Sequence, residues 1–164
     1  MADWQERLRQ IGIAASSSHV GGLFYHYVSR RIDTVLIPLT GARLAMGPPG
    51  HTLLLTTLGA RTGKQRVASL AFLWDGDDIV IVGSKGGSPN HPGWVHNLRA
   101  DPHATIQHRG GIERRFAREA EGDERDRLFQ RAASTWDNFS AYQRRTGGRQ
   151  IPIVVLSRNG EETS

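Results

Sequence analysis

Between residues 53 and 84 the chain alternates short aliphatic runs with glycine-centred breaks, and no other feature limits its fold so strongly. Leu53 to Thr57, Arg66 to Trp74 and Ile79 to Ser84 read as strands, with Asp75-Gly76-Asp77-Asp78 as a tight hairpin turn between the last two. Runs this short and closely spaced leave no room for crossover helices, so they predict an antiparallel meander. Farther along, Ala104 to His108 and Arg114 to Ala120 form a second hairpin around Gly110-Gly111, and Pro152 to Leu156 is a last strand. Two helices are predicted between strands. One has Pro92 in its first turn, runs through Trp94, Val95 and Leu98 to Ala100, and stops at Asp101-Pro102. In the other, Asp123 is expected as cap and Asp126 as a weak capping-box partner, with Leu128, Phe129 and Ala132 or Ala133 as its apolar face. The predicted fold class is α+β, a small antiparallel barrel with peripheral helices.

At 164 residues the chain has the length of one domain. Residues 1–18 are expected to be a mobile segment, 19–157 the barrel domain and 158–164 a polar tail. Within the barrel domain, Val20, Leu23, Phe24, Tyr27, Val28, Ile32, Val35 and Leu36 recur at three- and four-residue spacings. That periodicity predicts an amphipathic helix with Arg30 and Arg31 on its polar side, packed on the core or lying on a membrane surface. No run approaches the length that spans a bilayer, and no apolar leader is visible near the N-terminus, so a cytoplasmic location is expected.

Cysteine is absent, which excludes thiolate catalysis, disulfides and iron–sulfur clusters. Any redox chemistry must come from a bound cofactor. The net charge is +5, and every basic residue except Lys64 and Lys85 is arginine. Because the excess is spread along the chain, a nucleic-acid partner is disfavoured and an acidic small molecule or anionic surface stays compatible. No Gly-x-Ser-x-Gly elbow or pair of spaced carboxylates points to hydrolysis. His91 and His96 are five apart and were they both helical would face apart, and His103 and His108 would fall on opposite faces of a strand, so no metal site is expected.

Two glycine-rich basic turns carry the chemistry that remains. Gly83-Ser84-Lys85-Gly86-Gly87-Ser88 leaves a strand and leads through Pro92 into a helix, which supplies inward-turned N–H groups, a helix N-terminus and a full positive charge. It is not a Walker A loop, since its lysine precedes the glycines. Arg61, Lys64 and Arg66 crowd the turn between the first two strands, and both turns can serve one anion if the register brings them together. Trp136, Phe139 and Tyr142 recur every third residue, either as core packing or as an aromatic wall beside a flat ring, with the Tyr142 hydroxyl able to orient a substrate or donate a proton.

The strings L-L-L-T-T-L-G-A-R-T-G-K-Q-R-V at Leu53 to Val67, V-G-S-K-G-G-S-P-N-H-P-G-W-V-H-N-L at Val82 to Leu98 and I-P-I-V-V-L at Ile151 to Leu156 resemble the deazaflavin-dependent nitroreductase and quinone reductase family, which uses coenzyme F420. The similarity covers roughly residues 20–157. It implies a split β-barrel and hydride transfer from reduced 8-hydroxy-5-deazaflavin to a quinone or nitro-type acceptor. Arg61, Lys64, Arg66 and Lys85 match the basic turns that hold the cofactor's acidic tail. Ser84, Gly86, Gly87, Pro92, Trp94 and Asn97 match the loop and helix around it. By the same resemblance Ala71, Trp136, Phe139 and Tyr142 fall on the acceptor side, with Tyr142 and Ser84 as candidate catalytic residues. Only Tyr142 of the aromatic trio carries a hydroxyl, and Ala71 is small where some members carry tyrosine, which bears on nitroreduction more than on cofactor binding. A quinone acceptor implies a possible peripheral contact with the inner face of the plasma membrane. A flavin mononucleotide-binding barrel oxidoreductase and a non-catalytic cofactor-binding module are the alternative readings.

Overall fold

The computed structural model describes residues 50–109, 111–136 and 138–158. The predicted Val20 to Leu36 helix and the 1–18 and 159–164 segments lie outside the described residues. Six antiparallel strands close into a barrel: β1 (Thr52–Leu58), β2 (Gln65–Asp75), β3 (Asp78–Val82), β4 (His103–His108), β5 (Gly111–Glu119) and β6 (Ile153–Ser157). Their order around the barrel is β1-β2-β3-β6-β5-β4, and β4 returns to β1 through Leu54↔Gln107, Leu55↔Ile106 and Thr56↔Thr105. The meander of the first three strands is as the sequence predicts, and closure removes the sheet edges that a meander alone would expose. Asp75 pairs with Asp78, so the β2–β3 turn has two residues, and its first, Gly76, has a φ of 63° that a β-carbon would disfavour.

Alternation along the strands divides the apolar residues between two clusters. Leu53, Leu55, Phe72, Ile79, Ile81, Ile106 and Leu156 fill the barrel, and helix α1 (Gly93–Ala100) adds Trp94, Val95 and Leu98 to the same cluster. On the outer face, Val80, Ile153 and Val155 are covered by Leu128, Phe129 and Ala132 of α2 (Gly122–Thr135) and by Tyr142 of α3 (Asn138–Arg145). No helix among the described residues is long and apolar enough to cross a membrane.

Several local expectations need correction. Pro92 is the N-cap of α1 and not part of its first turn, and β5 begins at Gly111, where the sequence predicts the hairpin turn before Arg114. The third strand ends at Val82, because Gly83 turns the chain toward Pro152; a β-carbon on Gly83 would stand 2.6 Å from Pro152 Cγ and 3.1 Å from Val95 Cγ2. Glu121, not Asp123, holds the N-cap position of α2, with no side-chain cap bond; Asp123 and Glu124 fall in the first turn, where they complement the helix dipole. His91 precedes α1 instead of belonging to it, so its ring meets that of His96 edge-on at 5.8 Å, whereas spacing on one helix would have parted them. His103 and His108 do part: His103 is exposed beside Asp101, while His108 lies between Phe72 and Trp74.

Candidate functional site

A groove of about 740 Å³ runs along one end of the barrel between the β1–β2 turn and α1. Arg61, Thr62 and Arg66 stand on one bank, Gly93, His96 and Asn97 on the other, and Val67, Ala68 and Trp94 provide apolar surface. The turn is closed by its own backbone: Gly59 N–H donates to Lys64 O at 2.8 Å, and Gly63 N–H, at a φ of 62°, donates back to Gly59 O at 2.8 Å. A β-carbon at Gly59 would meet Thr62 Oγ1 at 2.8 Å and Lys64 O at 3.2 Å, so the turn requires glycine there.

Asn97 ties this turn to the helix. Its Nδ2 donates to Thr57 Oγ1 at 2.9 Å, and its Oδ1 accepts from Ala60 N–H at 3.0 Å. Both ends of one amide are thus used to set the width of the groove.

Among the described residues, the lining contains two guanidinium groups and an imidazole and no carboxylate. Helix α1 adds partial positive charge, because its N-cap is Pro92, no side chain caps it and its first turn carries no acid. Elsewhere seven of the arginines are engaged with carboxylates. Arg99 pairs with Glu119, Arg115 and Arg158 with Glu113, Arg118 with Glu124, Arg125 with Asp126, and Arg127 and Arg131 with Asp75. Those pairs hold the Asp75, Glu119 and Glu124 carboxyls below the usual carboxylate range, chiefly through the hydrogen bonds from Arg127, Arg99 and Arg118 respectively. Among the described residues, by contrast, no carboxylate pairs with Arg61, Lys64, Arg66 or Lys85. Their positive charge is available to a ligand.

The structure brings Arg61, Arg66, Trp94 and Asn97 into this one lining. Lys64 is exposed in the same turn but outside the lining, and Pro92 sits just before it as the cap of α1. The second basic loop lies apart from the lining. Ser84 is 5% exposed, Lys85 is exposed, and a 3-10 turn over Lys85–Gly87 carries φ values of 48°, 64° and 81°. It rests on α3: a β-carbon at Gly87 would be 2.9 Å from Arg145 Cβ and 3.0 Å from Tyr142 O. Trp136, Phe139 and Tyr142 stack edge to face at 5.6 and 6.1 Å against the outer cluster, with Trp136 and Phe139 half-buried and Tyr142 buried. Ala71 is half-buried on β2 opposite Thr52. None of these four lines the groove.

Two residues that sequence reasoning passed over belong to this neighbourhood. His96 lines the groove, and Arg149 grips the second loop from behind. His96 was legible as a position one helical turn from Pro92; Arg149, five dozen residues beyond the loop, carried no such signal. Among the described residues, no three histidine or acidic side chains gather as a metal site.

The family model for F420H(2)-dependent quinone reductase matches residues 30–158. The chain belongs to that family. An F420H(2)-dependent quinone reductase of Mycobacterium tuberculosis is 42% identical over 122 residues, which is 72% of this chain and 79% of the relative. The solved F420-H2 dependent reductase FDR-A superposes with a TM-score of 0.60 at 34% identity, over 65% of this chain and 94% of that one. A further protein, solved as a domain-swapped dimer, superposes at 0.63 with 32% identity, over 77% of this chain and 96% of its own. The family's barrel is the fold described above.

Proposed function

We propose that this chain binds the reduced deazaflavin coenzyme F420 and passes its hydride to a quinone-class acceptor. The observation that supports this most is a groove that, among the described residues, has no carboxylate in its lining and no acid paired with its cations, in a member of this family. The residues fit the cofactor's chemistry: a tail carrying several negative charges needs cations spaced along a channel, and Arg61 and Arg66 with the uncapped end of α1 meet that need.

Bound F420 supplies the hydride donor, the reduced carbon of its ring. The chain's part is to bind, orient and shield. Arg61 and Arg66, with Lys64 in the same turn, would hold the acidic tail in the groove; Lys85 with Ser84, Gly86 and Gly87 would form a second cradle apart from that lining, and Pro92, Trp94 and Asn97 shape the helix side. Because the tail is distant from the reacting atoms, these contacts set affinity and leave the chemical step unchanged. Trp136 and Phe139, half-buried, and Ala71 are assigned to the acceptor side. Tyr142 backs Phe139 through its buried ring.

Fluorescence titration with F420, compared with flavin mononucleotide, tests the cofactor. Tight flavin mononucleotide binding without an F420 response would replace this reading with a flavin-dependent one. Reduction of menadione and of a nitroaromatic by reduced F420 tests the acceptor, and cofactor binding with no acceptor reduced would leave a binding module. A peripheral membrane location rests on the Val20 to Leu36 pattern and on the quinone class of the acceptor. Co-sedimentation with anionic vesicles is its test, and protein left in the supernatant would remove it.

A further inference from the structure

Arg149 takes no part in the groove, yet its side chain reaches four backbone and side-chain acceptors on the loop that leaves β3. Its Nη2 donates to Ser84 O at 3.0 Å and to Ser88 O at 2.8 Å, Nε donates to Ser88 O at 3.1 Å, and Nη1 donates to Gly83 O at 3.3 Å. The same Nη1 lies 3.2 Å from His91 Nδ1. The backbone beneath it is also fixed: Gln143 Nε2 donates to Arg149 O at 2.8 Å, and Gln143 Oε1 accepts from Ile151 N–H at 3.0 Å.

We propose that Arg149 is a positioning residue that gives the Lys85 loop its ligand-binding shape. Carbonyls at both feet of the loop converge on one side and repel one another; among the described residues the planar Arg149 guanidinium is the group that satisfies all three. With those carbonyls drawn inward, and with Gly87 N–H and Ser88 N–H donating to Ser84 O and Lys85 O, the left-handed residues Lys85 and Gly86 form the crest. Lys85 is thereby turned to solvent. Helix α3 closes the remaining side, since the backbone of Tyr142 and the β-carbon of Arg145 leave no space beside Gly87. Arg149 thus moulds the loop from the protein side while a ligand engages it from outside.

His91 completes the clamp. Its Nδ1 accepts from Arg149 only when that nitrogen is unprotonated. Burial first, then the cations Arg99 and Arg149 and the His96 ring, hold its pKa below 6.5 against an opposing pull from Glu119. Arg99 and His96 approach from α1 and disfavour the protonated ring, while Glu119 approaches from β5 and opposes them.

The inference rests on the reading that this loop holds the cofactor's acidic tail, and the experiment separates the two. In ligand-free protein, NMR follows the backbone amides of Lys85, Gly86 and Gly87 and the titration of His91, in wild type, Arg149→Lys and Arg149→Met. In both variants the loop amides shift and exchange faster while those of Leu55 and Ile81 stay unchanged, and in Arg149→Met the His91 pKa rises. Loop amides unaffected by Arg149→Met overturn the inference whatever the cofactor does. With F420, both variants weaken binding on the order of tenfold, while turnover at saturating F420 stays within about twofold of wild type. In a Lys85→Ala background, Arg149→Met adds less than about twofold, because its effect passes through the same loop. Losses that multiply in the double variant overturn the inference. Wild type that fails to bind F420 refutes the functional reading, and the ligand-free NMR still decides what Arg149 does. If Arg149→Met does not fold, Arg149→Lys carries both readouts.

Discussion

Replacing Asn97 separates two things that the groove does at once, holding its shape and attracting an anion. Asn97→Ala removes the donor to Thr57 Oγ1 and the acceptor for Ala60 N–H. Ala60 is exposed, so its N–H turns to water at little cost, but Thr57 is 3% exposed and its hydroxyl loses the Asn97 donor. That buried loss sets the scale at about 1–2 kcal/mol, or about 2–8 °C in Tm for a chain of this length. Asn97→Asp acts differently. One carboxylate oxygen still accepts from Ala60 N–H, and the Thr57 hydroxyl can rotate to donate to the other, so stability falls by less than about 1 kcal/mol. The new charge, however, stands in the lining with Arg61 and Arg66. Across about 8 Å, at an effective dielectric of about 20–40, its repulsion of one ligand charge is about 1–2 kcal/mol, about tenfold in the Kd for F420. Urea denaturation and fluorescence titration, run on both variants, give four numbers. The reasoning fails if Asn97→Asp binds F420 as tightly as wild type, or if it loses as much stability as Asn97→Ala.

Arg61→Gln and Arg66→Gln should each raise the Kd for F420 about tenfold, with kcat at saturation unchanged and a shallower salt dependence of binding; a fall in kcat with Kd unchanged would place both residues at the chemistry instead. Gly87→Ala should destabilise by about 1–3 kcal/mol, because its φ of 81° and the 2.9 Å approach to Arg145 Cβ both oppose a β-carbon; chemical denaturation checks it, and an unchanged midpoint would mean that the loop is not wedged on α3. The pH dependence of stability has two stages. His91 has a folded pKa below its unfolded one, so it contributes stability that is complete above 6.5 and is lost as pH falls from there to the folded pKa. The depressed carboxyls Asp75, Glu119 and Glu124 contribute stability present above the ordinary carboxylate range and lost as pH falls through their folded values. A His91→Gln variant should flatten the upper stage and leave the lower one, as read from denaturation midpoints between pH 7 and acid.

Element types and the barrel class were legible because period-two alternation and glycine-marked turns are local signals. Most boundaries missed by a residue or two, as at Gly83, where Pro152 and Val95 press on the chain, and the start of β5 by three. The cap of α2 was misread because Asp123 and Asp126 resemble a capping pair in one dimension; in three, Arg125 N–H donates to Glu121 O and the helix begins earlier.

The site shows the same division. Which cations are present, and that two basic turns flank a helix start, is written in the chain itself, since it depends only on residue type and near spacing. Which cations are available to a ligand is not. That depended on where the carboxylates came to rest: among the described residues Asp75 pairs across the fold with Arg127 and Arg131, Glu119 with Arg99 and Glu113 with Arg115, and none stands in the groove that Arg61 and Arg66 line. Arg149 meets the loop from Gly83 to Ser88 only because β6 pairs with β3. Local sequence determined the chemistry on offer, and barrel closure decided which groups face one another, because pairing between distant segments is a property of the closed sheet and of no segment within it.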